Sequence, residues 1–107
     1  MFIIHSNCLR NLYIGIASDY NRFHKPGFCR QSRKEFSLYF YRLNDAEAFL
    51  QRYFNAKNIE EYNRIYYSIY SVDAPDATME KTSLYGIDCY YSQEALAKFR
   101  DNYELYY

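Results

Sequence analysis

The stretch FSLYFYRLNDAEAFLQRYF, residues 36–54, changes its hydrophobic period part-way along. In Phe36–Arg42, Phe36, Leu38 and Phe40 alternate with Ser37, Tyr39 and Tyr41, the period of two expected of a strand with an apolar face and a tyrosine face. From Asn44 onward the spacing is helical. Ala46, Phe49, Leu50, Tyr53 and Phe54 recur at i, i+3, i+4, i+7 and i+8 and form one apolar stripe. Asn44 reads as the N-cap, Glu47 completes a capping box three residues on, and Asp45 suits the positive end of the helix dipole.

Working outward, Phe2–Ile4 and Leu12–Ala17 are short apolar runs separated by polar residues Ser6–Asn11, which predicts a β-hairpin with a longish loop. Residues 18–34 are polar and basic and carry Pro26-Gly27, so they read as a long functional loop. After the helix, Arg64–Val72 sets Ile65, Tyr67 and Ile69 on one face and Tyr66, Tyr70 and Val72 on the other. With both faces apolar or aromatic, it reads as a central strand. Asp73-Ala74-Pro75-Asp76 is a turn, and Leu84–Tyr91 is a weaker strand interrupted by Gly86. Ser92 then caps a final helix with Leu96, Phe99, Tyr103 and Tyr106 along one side. The expectation is a single α+β domain over residues 1–107, a small antiparallel-rich sheet with two main helices packed on one face.

Composition points to binding. Fifteen of the 107 residues are tyrosine and none is tryptophan, more rings than a core of this size hides. Each ring ends in a hydroxyl that needs a partner or water, so many should lie with one end wet, as on recognition surfaces. No apolar run approaches the roughly 20 residues that span a bilayer. The opening Met-Phe-Ile-Ile, broken by His5 and Asn7, does not read as a secretory signal. A cytoplasmic location is therefore expected, with Cys8, Cys29 and Cys89 as thiols or ligands and not disulfides. The formal charge is zero, yet residues 1–42 hold seven Lys/Arg against two carboxylates, a net +5. Residues 43–107 hold six against eleven, a net −5. The split suits either two oppositely charged partners or two halves that attract each other within one fold.

Three constellations bear on chemistry. His5-x2-Cys8 and His24-x4-Cys29 are two ligand pairs at knuckle-like spacings that would hold one tetrahedral zinc; the alternative is four ordinary core and surface residues. Basic residues interleaved with aromatics over residues 20–42, with Arg22, Lys25, Arg30, Arg33 and Lys34 as the phosphate contacts, fit a nucleic-acid surface. The sequence pI of about 6.7 lies well below that of dedicated nucleic-acid binders.

The third is Tyr13-Ile14-Gly15 followed by Asp19, Arg22 and His24. Over residues 2–52 this resembles the start of a GIY-YIG nuclease domain, in which a short hairpin leads to a helix carrying a catalytic arginine and a later helix supplies a metal-binding glutamate. Phe2-Ile3-Ile4 stands where that family has Gly-Ile-Tyr, and Arg22 comes about one residue early. The glutamate position falls on Gln51, which leaves Mg²⁺ without its carboxylate anchor. The resemblance thus implies a degenerate relative that kept the fold.

Nucleophile-elbow and phosphate-loop motifs are absent from the sequence. The leading expectation is a non-catalytic interaction protein without a cofactor, docking a tyrosine-rich, partly acidic surface onto another protein. Tyr62, Tyr66, Tyr70, Tyr90 and Tyr91 are its anchors, and a basic surface such as the groove of a host nucleic-acid-binding enzyme is its target. Compact chains of this kind are common among phage and mobile-element inhibitors. The alternative is a nucleic-acid-binding module built on residues 20–42.

Overall fold

A computed structural model of the chain describes residues 1–7, 12–18, 26–31, 34–57, 66–76 and 78–94. Its elements are β1 (Phe2–Ser6), β2 (Leu12–Ser18), β3 (Pro26–Gln31), a 3₁₀ turn at Lys34–Phe36, α1 (Leu43–Lys57), β4 (Tyr67–Ser71), β5 (Met79–Leu84) and β6 (Ile87–Ser92). Two antiparallel sheets form, one of four strands in the order β3-β2-β1-β4 and one hairpin of β5 and β6. The class is α+β, as the sequence implies. Of the second helix expected after Ser92, residues 95–107 lie outside the described residues.

The first hairpin forms as expected, but β1 and β2 pair only at His5–Tyr13 and Ser6–Leu12. Beyond that point residues 37–40 take up the pairing. Phe2 and Phe40 exchange backbone hydrogen bonds of 2.8 and 2.9 Å, and the Leu38 N–H donates to the Ile14 carbonyl at 2.9 Å. Tyr39, whose polar groups point the other way along an extended chain, bonds instead to Tyr90 of β6. The segment expected to be an ordinary strand over Phe36–Arg42 is thus a 3₁₀ turn followed by a short tie between the two sheets. Its alternation also differs from expectation, since Tyr39 is buried along with Phe36, Leu38 and Phe40.

Three further expectations are corrected. Residues 26–31, read as part of a loop, form β3, paired with β2 from Tyr13–Gln31 to Ser18–Pro26. Pro26 sits at the strand's first position on the sheet edge, where a missing N–H is tolerated and charged side chains are usual. The strand read as central, β4, lies at the other edge and pairs with β1 from Phe2–Ser71 to Ser6–Tyr67. Gly86 does not interrupt a strand. With Tyr85 (φ 54°) and Gly86 (φ 75°) both left-handed, it forms the two-residue turn between β5 and β6 that a right-twisted hairpin prefers.

Helix α1 starts one residue before Asn44, and the Arg42 carbonyl accepts from the N–H groups of Asp45 and Ala46. Its stripe of Ala46, Phe49, Leu50, Tyr53 and Phe54 is buried against Ile4, Ile14, Leu38 and Phe40 from one sheet and Leu84, Ile87, Cys89 and Tyr91 from the other. Tyrosines enter this core with their hydroxyls partnered. The Tyr53 and Tyr67 hydroxyls meet at 3.1 Å, and Tyr91 donates to a Glu80 carboxylate oxygen at 3.0 Å.

Candidate functional site

Among the described residues, two surfaces carry aromatic side chains outside the core. The first lies on the face of the four-stranded sheet away from α1. Strand β1 turns Ile4 into the core and His5 to the opposite face, where the His5 ring lies 4.8 Å from Tyr13 and 5.6 Å from Tyr70, centroid to centroid. His5 is buried, as is Ile3 two residues before it on the same side of the strand, and among the described residues the His5 Nδ1 has no hydrogen-bond partner. Tyr70 is 45% exposed, and Tyr66, just before β4, is 40% exposed; its carbonyl accepts from the Asn7 N–H. Tyr67 and Ile69, between them in sequence, pack on the core, so the alternation read from the sequence holds here. Past β4 the chain enters Asp73 and Asp76, both exposed.

The second surface is a cleft of ≈ 580 Å³ between α1 and the β5–β6 hairpin. Tyr41 and Arg42 form its rim, Asp45, Ala48 and Arg52 line it from the helix, and Gly86, Asp88 and Tyr90 line it from the hairpin. The Tyr41 and Tyr90 rings meet edge to face, 4.6 Å between centroids, and Tyr41 is 62% exposed. The Arg52 guanidinium donates to the Tyr85 carbonyl and so ties the turn to the helix. Asp88 pairs with Lys81 at 3.4 Å.

Of the expected protein-binding tyrosines, Tyr66 and Tyr70 are exposed together and Tyr90 borders the cleft. Tyr91 is buried, its hydroxyl on Glu80, and offers no ring to a partner. Tyr62 lies outside the described residues. So do Arg22, Lys25 and Arg33 of the basic segment. Arg30 lies opposite Ile14 in the β2–β3 ladder, and Lys34 is exposed on the 3₁₀ turn. Of the expected zinc ligands, Cys8 and His24 lie outside the described residues, and the backbone register sets Cys29 opposite Gly15. Among the described residues no three His, Cys, Asp or Glu come together as a metal site. For the nuclease resemblance, the arginine position is not described, and Gln51 sits exposed on α1 donating to Asn55 at 3.2 Å.

Sequence reading missed the cleft. Its helical side was legible, since Asp45, Ala48 and Arg52 share a face at i, i+3 and i+7. The hairpin that completes it was hidden behind the misreading of Gly86. No helix of the described residues is long and apolar enough to cross a membrane. Compared with known proteins, the chain matches no family model, no curated protein and no solved structure.

Proposed function

We propose that this is a non-catalytic, cytoplasmic interaction protein that binds another protein through the tyrosine face beside β4. The observation that carries the reading is the pair Tyr66 and Tyr70, two large rings left 40% and 45% exposed next to an edge strand. One side of the Tyr70 ring rests against His5, which reduces the ring freedom to be lost on binding. Tyrosine anchors of this sort carry a large share of interface energy. The charge next along the chain favours a basic partner: Asp73 and Asp76, both exposed, follow β4 directly. A nucleic-acid-binding groove on a host enzyme has that character, and an occupant of it acts as an inhibitor.

The test is capture of a partner from host lysate, repeated after nuclease treatment, by the wild-type chain and by a Tyr66→Ala/Tyr70→Ala variant. A protein retained after nuclease and lost with the double variant, whose melting is unchanged, supports the reading. Capture that disappears with nuclease, or that the double variant leaves intact, overturns it.

A further inference from the structure

The cleft beside α1 is not used by that reading, because Tyr66 and Tyr70 are flanked by residues on the sheet face away from the helix. Its lining has a chemistry of its own. Two tyrosine rings stand at the mouth, one of them largely exposed and set at a fixed angle to the other. Ala48 and Gly86 add almost no side-chain bulk, and a Cβ built on Gly86 would come within 3.4 Å of an Arg52 guanidinium nitrogen. The charge is unbalanced. Asp88 is engaged by Lys81, which leaves the guanidinium groups of Arg42 and Arg52 against the single carboxylate of Asp45. The Arg42 side chain makes no hydrogen bond or ion pair with any described residue, and Arg52 spends a donor on Tyr85 while four N–H groups remain.

A cavity of ≈ 580 Å³ falls within the range of small-ligand sites, about 300–1,000 Å³. An occupant must offer a flat ring to the tyrosines, an anionic group with the geometry of a guanidinium fork, and a hydroxyl or amino donor to Asp45. We propose that the cleft binds a nucleoside phosphate, with the base against Tyr41 and Tyr90, the phosphate on Arg42 and Arg52, and the sugar hydroxyls or base amino group donating to Asp45. A lone phosphate leaves the rings unused, and an uncharged aromatic leaves both guanidinium groups unused. The same chemistry is supplied by a free mononucleotide or by one unit of a single strand.

Calorimetric titration of the intact chain decides it, with adenosine monophosphate, adenosine, orthophosphate and a four-nucleotide adenosine strand as probes. The expected result is binding of the monophosphate or the strand, with adenosine and orthophosphate each weaker by about tenfold or more. Binding of the strand without the monophosphate identifies single-stranded nucleic acid as the source, and the reverse identifies a free nucleotide. Arg42→Gln and Tyr41→Ala, both at exposed positions, should each weaken binding by about tenfold with melting unchanged. Ala48→Phe, which fills the floor, should abolish it. Orthophosphate binding as tightly as the nucleotide, affinity unaltered in Arg42→Gln, or no heat from either nucleotide probe overturns the proposal. None of these outcomes depends on Tyr66 or Tyr70, so failure here and failure of the protein-binding reading are separate results.

Discussion

Tyr39 and Tyr90 exchange two backbone hydrogen bonds, 2.8 Å from the Tyr39 N–H to the Tyr90 carbonyl and 2.9 Å in return. This is the backbone link through which the β5–β6 hairpin joins residues 37–40 and, through them, β1 and β2. Tyr39→Pro keeps an extended chain but removes the donor. It leaves the Tyr90 carbonyl without that partner, at a cost of about 1–3 kcal/mol, to which the loss of the buried Tyr39 ring adds. In native-state hydrogen exchange, the Tyr90 amide and the β5–β6 ladder should lose protection well before β1 and β4 do. Equal protection across both sheets in the variant would show that neither this bond pair nor the Tyr39 ring holds the hairpin.

Phe49 is fully buried at the centre of the helix face, its ring 5.3 Å from Phe40 and 5.4 Å from Tyr85. It therefore touches the tie segment and the hairpin turn at once. Phe49→Ala should destabilise the protein by about 3–5 kcal/mol, a large part of the stability of a domain this size. Glu47→Ala, on the exposed side of the same helix, should stay within about 0.5 kcal/mol. Urea unfolding of the two variants beside wild type measures both.

The difference between those two positions was legible in the sequence, since a 3.6-residue stripe names the buried face whatever it packs on. The helix, the first hairpin and the faces of β4 were readable for that reason: periodicity reports burial. Strand order was not. Arg64–Val72 reads as central because both of its faces are apolar, yet β4 is an edge whose outer face carries Tyr66 and Tyr70 half-wet. A tyrosine looks the same in sequence whether it stands half-exposed, as at Tyr70, or is buried with its hydroxyl on another, as at Tyr53. Strand β3 was hidden by basic, Pro-bearing residues that suit an edge as well as a loop. The Tyr85-Gly86 turn did carry a signal, an x-Gly pair between Leu84 and Ile87, but the period-2 pattern running through it masked the reversal.

Cys89 gives a prediction in alkaline solution. Burial pushes its thiol up to about 12; the neighbouring Asp88 charge adds to the rise, and a backbone hydrogen bond at Leu84 opposes it. In the unfolded chain the thiol ionises near its ordinary value of 9.0. Between these values the unfolded state has lost a proton that the folded state keeps, so stability falls as pH rises, by up to about 1.4 kcal/mol per pH unit. Below about pH 9 the thiol has no effect on the slope. Cys89→Ala should start lower in stability, from the lost packing, and then decline less steeply with alkaline pH than wild type. Tyr39 and Tyr85, also raised by burial, act in the same direction in both proteins and cancel in the comparison. Parallel alkaline slopes would mean that the thiol reaches solvent in the folded state.

The choice between a protein partner and a nucleic-acid strand turns on salt. A phosphate-binding surface at Arg22, Lys25, Arg30, Arg33 and Lys34 releases counterions, and its log–log affinity slope steepens by about 0.7 for each phosphate neutralised on a single strand. Interfaces anchored on partly buried rings such as Tyr66 and Tyr70 depend on contact and exclusion of water, and respond to salt mildly, through rim charges such as Asp73 and Asp76. On the proposed reading, replacing Lys25, Arg30 and Arg33 together by Ala leaves partner affinity within about threefold, a change of less than 1 kcal/mol. Tyr66→Ala/Tyr70→Ala lowers it by about tenfold or more, with melting unchanged because both rings stand outside the core. Affinities measured across a salt series for the three proteins give both readouts in one experiment. A steep slope that the basic triple variant flattens, with the tyrosine variant indistinguishable from wild type, would move the binding surface to residues 20–42 and make the partner a nucleic acid.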